Sequence, residues 1–118
     1  MTNYQIIGDE VEAYNELFQR HWKGKPDGYS PISVLKIPET DDAIVLLEPS
    51  EGPKVFQNLL RLSPNGGVVW RAELPGSEPD SYTEMQLLRN KIIANTWTGY
   101  RRIITLESGK IISEEFVK

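Results

Sequence analysis

The chain of 118 residues has no cysteine and a single histidine, His21. Without thiols it forms no disulfide, offers no thiolate nucleophile and builds no cysteine metal site. One imidazole leaves little for metal ligation or for histidine acid–base work. No stretch approaches the ~20 apolar residues of a membrane span. The N-terminus lacks the pattern of a signal peptide. The expectation is a cytoplasmic protein with no metal, no cofactor and no membrane partner. Basic charge is also short: 13 Lys and Arg against 17 Asp and Glu give a net charge of −4. A protein that holds a nucleic-acid backbone needs the opposite sign, so nucleic acid is not expected as the partner.

What is present is ordinary globular composition, 39% apolar and 25% charged. The length favours a single domain over 1–118. The charge is uneven. Residues 1–60 carry ten acids and five bases, and residues 61–118 carry seven acids and eight bases. Glu39, Asp41, Asp42, Glu48 and Glu51 follow one another with no Lys or Arg between them. They are either solvated loops around a strand or an acidic surface for a basic protein partner.

Between residues 9 and 22 the apolar side chains fall at Val11, Tyr14, Leu17, Phe18 and Trp22. Spacings of three and four predict an amphipathic helix. Asp9 is its candidate N-cap, and Gly24, Pro26 and Gly28 end it. From residue 31 onward the pattern changes to short β-rich runs at 32–37, 43–48, 58–62, 68–74, 82–89, 91–97, 100–106 and 110–117. Turn residues separate them, which predicts antiparallel hairpins. Val68, Trp70, Ala72 and Leu74 alternate with Val69, Arg71 and Glu73, a half-buried strand with its Trp inward.

Two segments repeat. Leu62 to Trp70 resembles Leu106 to Ser113, and Gly66 to Gly109 and Val68 to Ile111 are both spacings of 43 residues. A period of ~40–45 residues is that of a four-stranded propeller blade. The run Asn95-Thr96-Trp97-Thr98-Gly99-Tyr100, followed by Leu106-Glu107-Ser108-Gly109-Lys110-Ile111, resembles a blade of quinoprotein-like β-propellers. The segment 31–118 also resembles a group of small bacterial proteins of unknown function. The residues that carry that likeness are Val69-Trp70-Arg71-Ala72-Glu73, Trp97-Thr98-Gly99-Tyr100, Ser108-Gly109-Lys110-Ile111 and Phe116-Val117-Lys118. The resemblance implies a fold and no chemistry. Two blades cannot close a ring, which takes ~4–8, so no quinone seat is implied.

The expected architecture is therefore mainly β: about eight antiparallel strands in two blade-like meanders, 32–74 and 82–117, with a helix at 9–22. The meanders form a partial propeller, a sandwich or a squashed barrel. Catalysis has weak support. Asp41, Asp42 and Asp80 lie in proline-flanked turns, where Asp serves the backbone. Glu114 and Glu115 point to opposite faces of one strand. Pro64-Asn65-Gly66-Gly67 precedes a strand and so is a hairpin turn, not a phosphate cradle.

Trp70 and Trp97 are assigned to the core. If Tyr100 faces inward, so does Arg102, which then needs an acid such as Glu73 or Glu84. Otherwise the two form an exposed patch. Three readings follow. The first is a non-catalytic protein-binding module, in one version an immunity-type protein that neutralises a basic toxin through Glu39, Asp41, Asp42, Glu48 and Glu51. The second is a small-molecule binder or weak enzyme with a pocket between the meanders near Trp97, Tyr100 and Arg102. The third is a homodimer that pairs its open sheet edges.

Overall fold

The computed structural model describes residues 1–117; Lys118 lies outside the described residues, so its place in the closing Phe116-Val117-Lys118 series is not tested. Twelve strands form three sheets. The first holds β1 (Asn3–Ile7), β2 (Glu10–Tyr14) and β3 (Arg20–Gly24). The second holds β4 (Pro31–Lys36), β5 (Ala43–Leu47), β7 (Leu59–Leu62) and β8 (Val68–Arg71), in that order. The third runs β12-β11-β10-β9-β6, from β12 (Ile111–Phe116), β11 (Tyr100–Thr105), β10 (Lys91–Thr96) and β9 (Asp80–Leu88) to the two-residue β6 (Val55–Phe56). All eight strands expected after residue 31 are found, shifted by no more than three residues at their ends. All pairings are antiparallel except that of β6 with β9. No sheet closes into a barrel.

The expected helix at 9–22 is absent. Among the described residues the helical pieces are two single 3-10 turns, Pro26–Gly28 and Pro49–Glu51. The segment forms two strands because period two satisfies its burial better than period 3.6. Val11 and Ala13 are fully buried, while Glu10, Glu12 and Tyr14 between them are only half-buried. Gly8 takes a φ of +62° in the two-residue turn Gly8–Asp9, a standard hairpin connection. Asn15 closes the next turn, its side-chain oxygen accepting the amides of Leu17 and Gln19 at 2.9 and 3.0 Å. Asp9 is not a cap; its carboxylate pairs with Lys25 at 2.8 Å.

The sheets stack as three layers, and the middle one is covered on both sides. All five residues of β5 are buried. Val45 and Leu47 join Val11, Phe56, Leu60 and Leu62 against the first sheet. Ile44 and Leu46 join Leu59, Trp70, Tyr82, Ile92, Ala94 and Ile104 against the third. A strand buried on both faces reads as a continuous apolar run, which is what residues 43–47 are. The second sheet is drawn from the expected meander 32–74 and the third from 82–117, except that β6 of the former segment crosses to pair with β9 in the third sheet, and the first sheet is a third, smaller layer on the outside.

Polar ties cross the junction between the second and third sheets. Trp70 Nε1 donates to Leu106 O at 2.8 Å, and Arg61 Nη1 donates to the same oxygen at 2.9 Å. Asn58 is fully buried and makes three bonds. Its Nδ2 donates to Leu47 O and Tyr82 O at 3.0 and 2.7 Å, and its Oδ1 accepts Tyr82 N at 2.8 Å.

Candidate functional site

At the junction between the second and third sheets, the loop after β5 faces the start of β9 and the β10–β11 turn. They enclose an open groove of about 530 Å³ lined by Glu48, Pro49, Gly52, Pro53, Lys54, Pro79, Asp80, Ser81 and Trp97, among others. Each wall is fixed by local chemistry. Pro49 opens a 3-10 turn, and the Glu48 carboxylate caps it by accepting Ser50 N and Oγ at 3.3 and 2.9 Å. The Asp80 carboxylate accepts Ser81 N at 2.9 Å, Thr98 N at 3.2 Å and Thr98 Oγ1 at 2.9 Å. Trp97 N donates to Ser81 O at 2.9 Å. The turn that carries Trp97 is thus strapped to β9 from both sides.

Trp97 is 65% exposed, so its assignment to the core is wrong. The reason is strand parity: Ile92, Ala94 and Thr96 take the inward positions of β10, which turns Trp97 out. Trp70, by contrast, is buried as expected. The walls of the groove come from residues 48–54, 79–83 and 97. Its lining is not the one expected, because neither Tyr100 nor Arg102 reaches the groove.

Arg102 is 4% exposed, so the exposed Tyr100–Arg102 patch does not form. Its acid is neither Glu73 nor Glu84. Arg102 stands opposite Glu114 in the β11–β12 register, and its Nε donates to Glu114 Oε2 at 2.9 Å. Its guanidinium lies 5.2 Å from the Tyr100 ring centre and 6.0 Å from that of Tyr82, within cation–π range. Glu73 instead accepts Ile111 N, and Glu84 accepts Asn95 Nδ2. Arg101 pairs with Glu115, so Glu114 and Glu115 do serve opposite faces.

The five candidate acids fall into two groups. Glu39, Asp41 and Asp42 lie at one end of β5, and Glu48 and Glu51 lie at the other, about 17 Å away for a five-residue strand. Asp42 is committed internally, accepting Arg61 Nε at 2.8 Å. Asp41 accepts Thr2 N at 3.0 Å, and its backbone oxygen accepts the Tyr4 hydroxyl. Glu51 accepts Ser30 N at 2.7 Å. Only Glu48 and Glu51 stand beside the groove. Among the described residues no group of three His, Asp or Glu side chains could hold a metal ion. No helix of the described residues is long and apolar enough to cross a membrane.

The backbone amides of Thr2 and Ser30 hold the Asp41 and Glu51 carboxylates below their ordinary pKa values. Depressed carboxylates stabilise the fold above their unfolded pKa of about 4, and this contribution is lost as the pH falls through the folded values. The pair Asp41→Asn and Glu51→Gln is therefore expected to flatten the fall in melting temperature below pH ~4. An unchanged acid limb in the double variant would show that these bonds carry none of it.

The groove residues that sequence reasoning passed over are Pro49, Pro53, Lys54 and Pro79. The available signal was the pair of proline-bearing loops on either side of one sheet junction. Proline fixes φ and keeps such loops from continuing the strands.

The comparisons with known proteins concern fold and family. The chain is similar to the crystal structure of a computationally designed protein, Ika4, at a TM-score of 0.67 and 9% identity, over 97% of this chain and 66% of that one. It is similar to BamB from Moraxella catarrhalis, a β-propeller, at 0.60 and 14%, over 98% of this chain and 35% of that one. It is also similar to a protein of unknown function from Bacteroides caccae, at 0.51 and 12%, over 99% and 42%. At these identities the likeness is one of fold. The chain spans about a third to two-thirds of the length of these structures. No curated protein matches. The model of a domain of unknown function, DUF7957, matches residues 32–116, which are the second and third sheets with the groove between them, and the chain belongs to that family.

Proposed function

We propose that the chain is a non-catalytic protein-binding module whose contact surface is the Trp97 groove. The observation that carries this reading is Trp97 itself: a large aromatic, 65% exposed, on a turn strapped down by Asp80 and Ser81. Exposing an indole forgoes the burial available to Trp70, and a rigid exposed Trp spends little entropy when a partner covers it. Tryptophan is also among the residues enriched at interface hot spots. Glu48 and Asp80 in the wall and Glu51 beside it outnumber Lys54, and the chain as a whole carries −4. A basic partner segment with one apolar anchor suits that surface. An immunity-type protein that masks a basic toxin is one role of this kind, with Glu48 and Glu51 as its contact acids.

A peptide-display library selected on the immobilised protein tests the reading. Sequences with Lys or Arg around an aromatic or aliphatic anchor should be enriched. Trp97→Ala should weaken their binding by at least about 2 kcal/mol, about 30-fold, while leaving the melting temperature unchanged. Equal selection by the wild type and Trp97→Ala would remove the groove from the account. A second reading, a small-molecule site, draws on the groove volume, which falls in the range of ligand pockets. Enrichment of uncharged small ligands with no peptide selected would favour it.

A further inference from the structure

A related turn occurs three times among the described residues, once in each sheet. In the first it joins β2 to β3, in the second β7 to β8, in the third β11 to β12. Each turn contains one residue of positive φ two positions before the next strand: Phe18 at +60°, Gly66 at +87° and Gly109 at +73°. Each is closed by a backbone bond to the carbonyl of the residue that follows: Asn15 N to Gln19 O and Ser63 N to Gly67 O, and, in a turn one residue longer, Thr105 N to Lys110 O. In each turn a side chain at its start accepts a turn amide: Asn15 Oδ1 that of Leu17, Ser63 Oγ that of Gly67 and Thr105 Oγ1 that of Ser108. Four residues after each positive-φ position, on the outgoing strand, stand Trp22, Trp70 and Ser113.

The two glycines show what this turn does. A Cβ on Gly66 would overlap the indole of Trp22, and a Cβ on Gly109 would overlap the indole of Trp70. Each Trp therefore lies over the glycine of the next sheet, and this contact is repeated at both junctions of the stack. At the two ends the residues differ. No other sheet of the described residues covers the outer face of the first sheet, and its glycine position holds Phe18, 83% exposed. None of them covers the outer face of the third, and its Trp position holds Ser113, which is also exposed.

We infer that neither outer face takes a further copy through this contact: Phe18 blocks the seat into which a Trp would fit, and Ser113 withholds the Trp that would reach a glycine. Phenylalanine in the left-handed region is strained, and its ring is held by stacking on that of Tyr14, with centroids 6.0 Å apart. Charge reinforces both ends. Glu12 pairs with Arg20 and Glu10 with Lys23 on the first sheet, and Arg101 pairs with Glu115 on the third. Repeat arrays need such polar terminal units to stay soluble and finite. The chain then adds no further copy of itself head to tail, unlike a subunit that closes rings or grows filaments.

The test opens one end at a time. Phe18→Gly restores the seat and Ser113→Trp restores the knob. Each variant alone, like the wild type, should run as one chain in analytical ultracentrifugation. Their mixture should give a complex of one copy of each and nothing larger, since each keeps one closed end. The near-ultraviolet circular dichroism of each variant checks that it is folded. A second measurement avoids new surfaces altogether. Gly66→Phe places the end residue at an interior junction and should abolish hydrogen-exchange protection in β1–β3 while leaving β10 and β11 protected. A self-associating wild type, no complex from two folded variants, or undisturbed protection of β1–β3 in Gly66→Phe would each overturn the inference.

Discussion

Replacing Asn58 with leucine is expected to lower stability by about 3–5 kcal/mol, although leucine is the larger hydrophobe and the site is fully buried. Three backbone groups lose their partner at once: Leu47 O, Tyr82 O and Tyr82 N. None can turn to water, because the site lies between the second and third sheets, and each orphaned group costs about 1–3 kcal/mol. For a chain of this size the melting temperature should fall by about 10–20 °C. Asn58→Asp should do no better, since it loses both donated bonds and buries a carboxylate. Thermal denaturation followed by circular dichroism checks this. A loss below about 1 kcal/mol would mean that Asn58 does not tie β9 to the end of β5, and the walls of the groove would lose their common anchor.

Trp70→Ala is expected to cost about 3–5 kcal/mol, through the cavity it leaves and the lost bond to Leu106 O. Its indole fills the space between the second sheet and Gly109 of the third. Trp97→Ala is expected to change stability by less than about 0.5 kcal/mol, as exposed substitutions do. Denaturant titration of the two variants gives the comparison. Equal losses would mean that Trp97 is packed, and the binding surface proposed for it would not exist.

The contrast between these two tryptophans shows what was legible in the sequence. Both lie among small and polar neighbours at the ends of β-rich runs. For Trp70 the alternation through Val68, Ala72 and Leu74 points one way only. For Trp97 the outward partners Ile93 and Asn95 include an apolar residue, so the run does not say which parity is inward until the sheet is assembled. Parity tied Arg102 to the face of Tyr100 but left open whether that face is inward or an exposed patch. Its partner was not legible, because that depends on the β11–β12 register, which places Glu114 opposite.

Residues 31–117 were readable because turn residues cut them into runs of strand length. The first sheet was not, because Val11, Tyr14, Leu17, Phe18 and Trp22 satisfy a helical period while Val11 and Ala13 satisfy a strand period. Packing against Val45 and Leu47 decides between the two. Gly8–Asp9 is a hairpin dipeptide, but Asp9 also suits a helix N-cap, the role it takes in the helical reading. The acids were legible as a group in sequence. Their separation to the two ends of β5, and the commitment of Asp42 to Arg61, are tertiary facts.

The most direct test of the account compares the three indole signals in a nitrogen-correlated NMR spectrum with a soluble paramagnetic agent added. The stacked arc predicts strong broadening of Trp97, little of Trp70 and an intermediate effect on Trp22, which is half-buried over Gly66. A protected Trp97 would contradict the placement of the groove. A fully broadened Trp22 would contradict the seating of the first sheet on the second.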